Sequence, residues 1–328
     1  VVKYLTNISF YIYISMILLT VTMLASCEQK ETSSINDQKE MKEQQISEEL
    51  FESFNNSQTG QTDKIVNVYK LFSNYIDVME KNPEASQIDT YKKEVLDPIY
   101  NDCFQDAEYI HMAESLLNEA PSRYTELKKI IKKLEKEDTN KIIKEALEKS
   151  ASYLPSDNET TVCVFPAAKS NYAMINVGVG KIIVLYDMYY TDGKIQAGIA
   201  HEYHHSVWTE KYLRKALPLS VLDNVIFEGK AVMFEKLVYP EISFTPINMD
   251  YNKAYWSKIE PDFDIYDINR SFEIIMGGKE LPPLYGYSEG YKMVKSYLDL
   301  NPNATIEEWT AMSGKDIFQK GKYAEKYK

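Results

Sequence analysis

Three of the four histidines in this 328-residue chain fall within five positions, in "GIAHEYHHSVW", residues 198–208. On an α-helix, residues four apart stand one above the other on the same face, so His201 and His205 can grip one ion between two imidazoles. Glu202 is turned about 100° from His201, which sets its carboxylate beside such an ion instead of on it. Apolar Ile199, Ala200 and Val207 surround the pattern. A pair of histidines satisfied within a helix face would not need a glutamate at that position, so the spacing points to a bound ion with a carboxylate beside it.

The surrounding sequence places this stretch on a helix. "TTVCVFP" (160–166), "YAMINVGVG" (172–180) and "KIIVLYD" (181–187) are short, β-branched and bounded by Gly, Pro and Asn, and they read as strands. A helix then runs to about Lys215, capped by Thr191 or Asp192. "GVGK" lacks phosphate-loop spacing and reads as a hairpin or edge feature. Upstream, Val68, Leu71, Phe72, Tyr75 and Val78, then Leu127, Ile130, Ile131, Leu134, Ile142, Ile143 and Leu147, recur at helical spacing. Residues 64–155 therefore read as a helical subdomain, with its Lys and Glu runs as solvated faces.

With His201 and Glu202 in place, "GIAHEYHHSVW" resembles the zinc-binding helix of zincin metallopeptidases. The resemblance implies one Zn²⁺ per chain held by neutral His201 and His205, and a zinc-bound water activated by Glu202, which passes its proton to the leaving amine. His204 competes with His205 as a ligand on spacing, but the family pattern selects His205 and leaves His204 to packing. No histidine follows His205, which excludes a metzincin continuation and requires a carboxylate as third ligand.

Glu228 is that candidate, in "SVLDNVIFEGKAVMFEKLVYP" (220–240), a second helix opened by a capping-box pattern of Ser220 and Asp223. Glu235, seven residues on and on the same face, is next in line. The arrangement resembles the gluzincins, and "EGKA" more closely resembles a family of predicted bacterial zinc-dependent proteases, many of them lipoproteins. In this reading Gly229 lets the glutamate helix approach the histidine helix closely. Val232 stands where the thermolysin-like pattern has an aspartate supporting a zinc histidine, which leaves that supporting role unassigned. In "LPPLYGYSEGYKMVKSYL" (281–298), Tyr287 to Gly290 is similar to the Y-x-x-G segment of gluzincin aminopeptidases, whose tyrosine donates to the oxyanion; Tyr285 and Tyr291 are alternatives. "KIIVLYD" or its neighbour is expected to add a substrate backbone as an extra strand.

The expected fold is α+β: a zincin-like catalytic domain over 156–328, with a small sheet, the HExxH helix and the glutamate helix, preceded by the helical subdomain. The N-terminus reads as export machinery. "ISFYIYISMILLTVTMLA" (8–25) is apolar, and "LASC" resembles the bacterial lipobox, giving a signal peptide over 1–26 and a lipidated Cys27; an uncleaved transmembrane anchor is the competing reading. Residues 27–63 are polar and read as a disordered tether, with room for a short helix around Glu48 to Phe54. The expected location is the extracytoplasmic face of a bacterial membrane. Cys103 and Cys163 could pair there, but buried free thiols are favoured, since the 59 intervening residues say nothing of distance.

A net charge of −12 and the absence of a basic run exclude nucleic acid as a partner and leave a peptide or protein substrate. Two competing functions remain: a non-catalytic, metal-containing binding lipoprotein, and a zinc hydrolase of a non-peptide substrate.

Overall fold

Strands with apolar residues on both faces must be covered on both faces, and here that requirement draws the preceding helices into the same core as the sheet. The computed structural model describes residues 49–168, 173–278 and 280–328, of which Phe51–Lys328 form one compact unit. Its sheet has five strands: β1 (Phe51–Asn55), β2 (Thr62–Val66), β3 (Thr161–Pro166), β4 (Met174–Gly178) and β5 (Lys181–Tyr186), in the spatial order β1-β2-β3-β5-β4. β2, β3 and β5 run parallel, while β1 and β4 run antiparallel to their neighbours. Val162–Phe165 and Ile182–Leu185 are buried along their whole length.

The fold is mixed α+β, as the alternation of periods implied, but two boundaries differ from the sequence reading. The segment read as tether up to 63 contains β1 and the first two residues of β2, and a strand replaces the helix expected around Glu48 to Phe54. The hairpin is polar because it lies at the sheet edge: Phe54 is buried while Glu52, Ser53 and Asn55 face water. Asp63 fastens it, accepting from Asn56 Nδ2 and from the Thr160 backbone N–H, both at 2.8 Å. Nor do residues 64–155 form a separate subdomain. Helices α1 (Phe72–Lys81), α2 (Tyr124–Leu134) and α3 (Thr139–Tyr153) bury most of the expected apolar residues, with Val78 and Ile142 only half-buried and Ile76 and Met79 buried beside them. However, Phe72 packs edge-on against Phe165 of β3, so these helices and the sheet share a core.

Cys103 and Cys163 form a disulfide with Cα atoms 6.1 Å apart, contrary to the free thiols expected. A helical turn, Tyr100–Cys103, is packed against β3, a proximity that spacing along the chain cannot reveal. Cys27, the signal-peptide stretch and most of the tether lie outside the described residues. Among the described residues no helix is long and apolar enough to cross a membrane.

After β5 the chain enters α4 (Asp192–Ala216), whose N-terminal N–H groups are capped by the Thr191 side chain, and then α5 (Val221–Val238), opened by the Ser220–Asp223 capping box. α6 (Ile268–Met276), α7 (Tyr285–Leu300), α8 (Ile306–Ala311) and α9 (Gly314–Lys320) complete the chain's helical layer.

Candidate metal centre

Most amphipathic helices bury one stripe, but Ala197–Thr209 of α4 is buried without interruption. Strand β4, α3 and α5 enclose these turns, so a histidine here loses water on every side and must find partners within the protein. His201 Nε2 and His205 Nε2 lie 3.2 Å apart, and Glu228 Oε2 of α5 lies 3.5 Å from the first and 3.2 Å from the second. Bonds of 2.0–2.1 Å at tetrahedral angles put ligand atoms about 3.3 Å apart. The three donors have that spacing, and two imidazoles with one carboxylate are the donor types zinc takes with a fourth position left for water or substrate.

Glu235 has a different position from the alternative ligand considered above. Its Oε2 lies 3.4 Å from Nδ1 of His201, the ring nitrogen turned away from the other two donors. The Phe244 and Thr245 backbone N–H groups donate to Oε1 at 3.0 and 3.1 Å, and the Thr245 hydroxyl donates to Oε2 at 2.7 Å. A carboxylate fixed beside Nδ1 is placed to orient the ring with Nε2 toward the other two donors. Glu235 therefore stands where a group supporting His201 is needed and for which Val232 is unsuited.

The electrostatics are those of a cation site. Burial by itself would lower the His201 pKa, but Glu228 and Glu235 outweigh it and raise it to about 10. Burial by itself would raise Glu228, yet His205 and His201 draw it down to about 2. Carboxylates that pull protons onto imidazoles this strongly would pull a divalent cation among the same atoms. Glu202 behaves differently: burial raises its pKa, only partly countered by the two histidines. A carboxylate with raised proton affinity suits a general base.

Glu202 and the three donors line a cavity of about 460 Å³. Of the three tyrosines considered, Tyr287 alone is on its wall, with its ring 6.1 Å from that of His201. Tyr285 is buried against Tyr255, away from the cavity, and Tyr291 does not reach it. His204 is turned away from the three donors and stacks on Trp309, with Nε2 3.3 Å from Thr310 Oγ1, which anchors α8.

Gly229 is not at the contact with α4 that the sequence suggested. It meets Gly290 of α7, where a Cβ on Gly229 would fall 2.1 Å from the Gly290 carbonyl carbon. The crossing holds Glu228 and Tyr287, neighbours of the two glycines, on the same cavity. β5 is likewise interior to the sheet, between β3 and β4, so "KIIVLYD" itself cannot pair with a substrate. β4 is the edge strand, and its Met174, Ile175 and Asn176 line the cavity.

Tyr109 lines the cavity as well and had no sequence signal. It arrives from the segment between β2 and β3, where its N–H donates to Val177 O at 2.9 Å and its hydroxyl lies 3.1 Å from Thr209 Oγ1. Burial pushes that hydroxyl up to about 12. It lies 92 residues before His201 and shares no motif with it, so only the fold brings the two together.

Residues 139–319 match the family described as predicted Zn-dependent protease (DUF2268). The chain belongs to this family. The DUF2268 match begins at α3 and ends within α9, so it takes in α4, α5 and α7 and leaves out the β1–β2 hairpin and Tyr109. Over 123 residues the chain is 29% identical to the uncharacterized protein YjaZ of Bacillus subtilis (strain 168), a stretch that covers 35% of this chain and 46% of that relative. The chain therefore spans less than half the length of this curated relative. No solved structure matches.

Proposed function

We propose that this DUF2268 chain is a zinc-dependent peptidase, with one zinc held by His201, His205 and Glu228 and with Glu202 as general base. The observation that carries the reading is the spacing of three donor atoms, 3.2, 3.2 and 3.5 Å, beside a buried carboxylate that is not among them. Zinc, when bound, polarises a substrate carbonyl and makes water a nucleophile near neutral pH.

The protein's own groups supply the rest. Glu202 takes the proton of the attacking water and delivers it to the departing amine, for which its raised proton affinity is suited. Glu235 keeps the His201 ring in the orientation and tautomer that present Nε2. Tyr287, across the cavity, donates its hydroxyl to the oxygen that gains charge as the carbonyl carbon becomes tetrahedral.

The reading includes attachment through a lipid on Cys27 to the extracytoplasmic face of a bacterial membrane. The Cys103–Cys163 disulfide suits an oxidising compartment. Purified protein is expected to contain one zinc and to lose peptide hydrolysis with a chelator. Glu202→Gln should retain zinc and lose turnover; an active Glu202→Gln enzyme removes the assigned base. Cys27→Ala should abolish incorporation of labelled fatty acid, and unchanged incorporation would remove the lipid anchor.

A further inference from the structure

We infer that the cleft takes an internal stretch of polypeptide and seats a bulky apolar side chain beside the bond that is cut, an inference that rests on the zinc-peptidase reading above. The cavity is chemically lopsided. Beyond the metal-site residues its wall is built by Leu213 near the end of α4, Leu217 and Leu219 in the connector to α5, and Phe272, Ile275 and Met276 of α6. Two backbone bonds, Val221 N–H to Ile265 O and Leu222 N–H to Phe263 O, hold the start of α5 against the segment leading into α6, so this apolar wall is one fixed surface. At its mouth Leu217, Tyr266 and Ile268 are 58, 68 and 60% exposed, apolar area that a substrate side chain would cover.

The same wall carries nothing that grips a chain terminus. No lysine or arginine lines the cavity among the described residues, so a substrate's terminal carboxylate has no cation to meet. Its two carboxylates are Glu202 and Glu228, both committed to the metal site, which leaves none for a terminal ammonium. The one imidazole outside the metal site, His111, is exposed at the rim. β4, whose outer edge is met at Val177 O by the Tyr109 N–H, lends Met174, Ile175 and Asn176 to the cavity wall, so the cavity offers a substrate apolar surface and no group that holds a chain end.

The test uses the zinc-loaded full chain and internally quenched peptides blocked at both ends, identical except for one central residue: Phe, Leu, Gly, Asp or Lys. The Phe and Leu peptides are expected to be cleaved next to that residue, with kcat/KM about 10- to 150-fold above the Gly peptide, the gain from burying such a side chain. Phe272→Asp should shift the preference toward the Lys peptide with the zinc retained; Leu217→Asp makes the same test at an exposed position where a carboxylate does not burden folding. Cleavage of free-ended peptides only, or with preference for Asp or Lys in the unmodified chain, overturns the inference while the zinc-peptidase reading stands. A chain that binds no zinc, that cleaves no peptide, or whose hydrolysis survives chelation instead removes the zinc-peptidase reading and the inference with it.

Discussion

Gly229 and Gly290 meet backbone to backbone where α5 crosses α7, so closely that a Cβ on Gly290 would fall 2.1 Å from the Val225 carbonyl oxygen. The crossing fixes two parts of the site at once, because Glu228 precedes one glycine and Tyr287 stands one helical turn before the other. A methyl group at either position must push the helices apart. Gly229→Ala and Gly290→Ala are each expected to cost about 1–3 kcal/mol despite alanine's better helix propensity, and to weaken zinc binding by displacing Glu228. Denaturant unfolding with a metal titration checks both; a variant as stable as the parent would show that the helices separate freely.

Glu235 acts on zinc through His201. Glu235→Ala is expected to reduce zinc affinity about 10- to 100-fold, by freeing the ring and leaving the Phe244 and Thr245 N–H groups without an acceptor. Glu228→Ala, which removes a donor outright, should lose more. Competition with a chromophoric chelator ranks the two, and a greater loss in Glu235→Ala would exchange their roles.

Tyr287→Phe keeps the ring and removes one donor used in the transition state. The expected result is a loss of about 10² to 10³ in kcat with KM and zinc content little changed. Tyr285→Phe and Tyr291→Phe, whose residues are off the cavity wall, should retain kcat. A reversed pattern assigns the donor elsewhere.

The last turn of the chain is part of the core. Glu289 is fully buried, accepting from Lys292 Nζ at 2.6 Å, Tyr323 Oη at 2.7 Å and Tyr327 Oη at 2.9 Å. Tyr323→Phe takes a hydrogen bond from a buried carboxylate, and about 1.5–3 kcal/mol of stability should go with it. Urea unfolding measures the loss, and no change would mean that the hydroxyl bond is replaced by water.

The Cys103–Cys163 bridge closes a loop between positions 60 apart. Cys103→Ser with Cys163→Ser should lower stability by about 2–4 kcal/mol, chiefly by enlarging the unfolded ensemble. Reductant should lower the midpoint of the parent and leave the double variant unmoved. Equal midpoints for oxidised and reduced parent would contradict a stabilising bridge.

The sequence by itself determined what local geometry controls. The i, i+4 spacing puts His201 and His205 on one face of α4 wherever that helix lies, and the Ser220–Asp223 capping box starts α5 in a register that leaves Glu228 and Glu235 on one face. The β-branched runs form strands because their side chains fit a pleated, buried surface. Only the tertiary structure decided which of the two glutamates meets the donors and which stands behind His201, since both share a face and the choice depends on where α5 crosses α4. It also drew β1 and β2 into the sheet, paired Cys103 with Cys163, moved the Gly229 contact from α4 to α7 and brought Tyr109 to the cavity. Each of these is a contact between segments far apart in the chain, and residue pattern carries no information about distance across a fold.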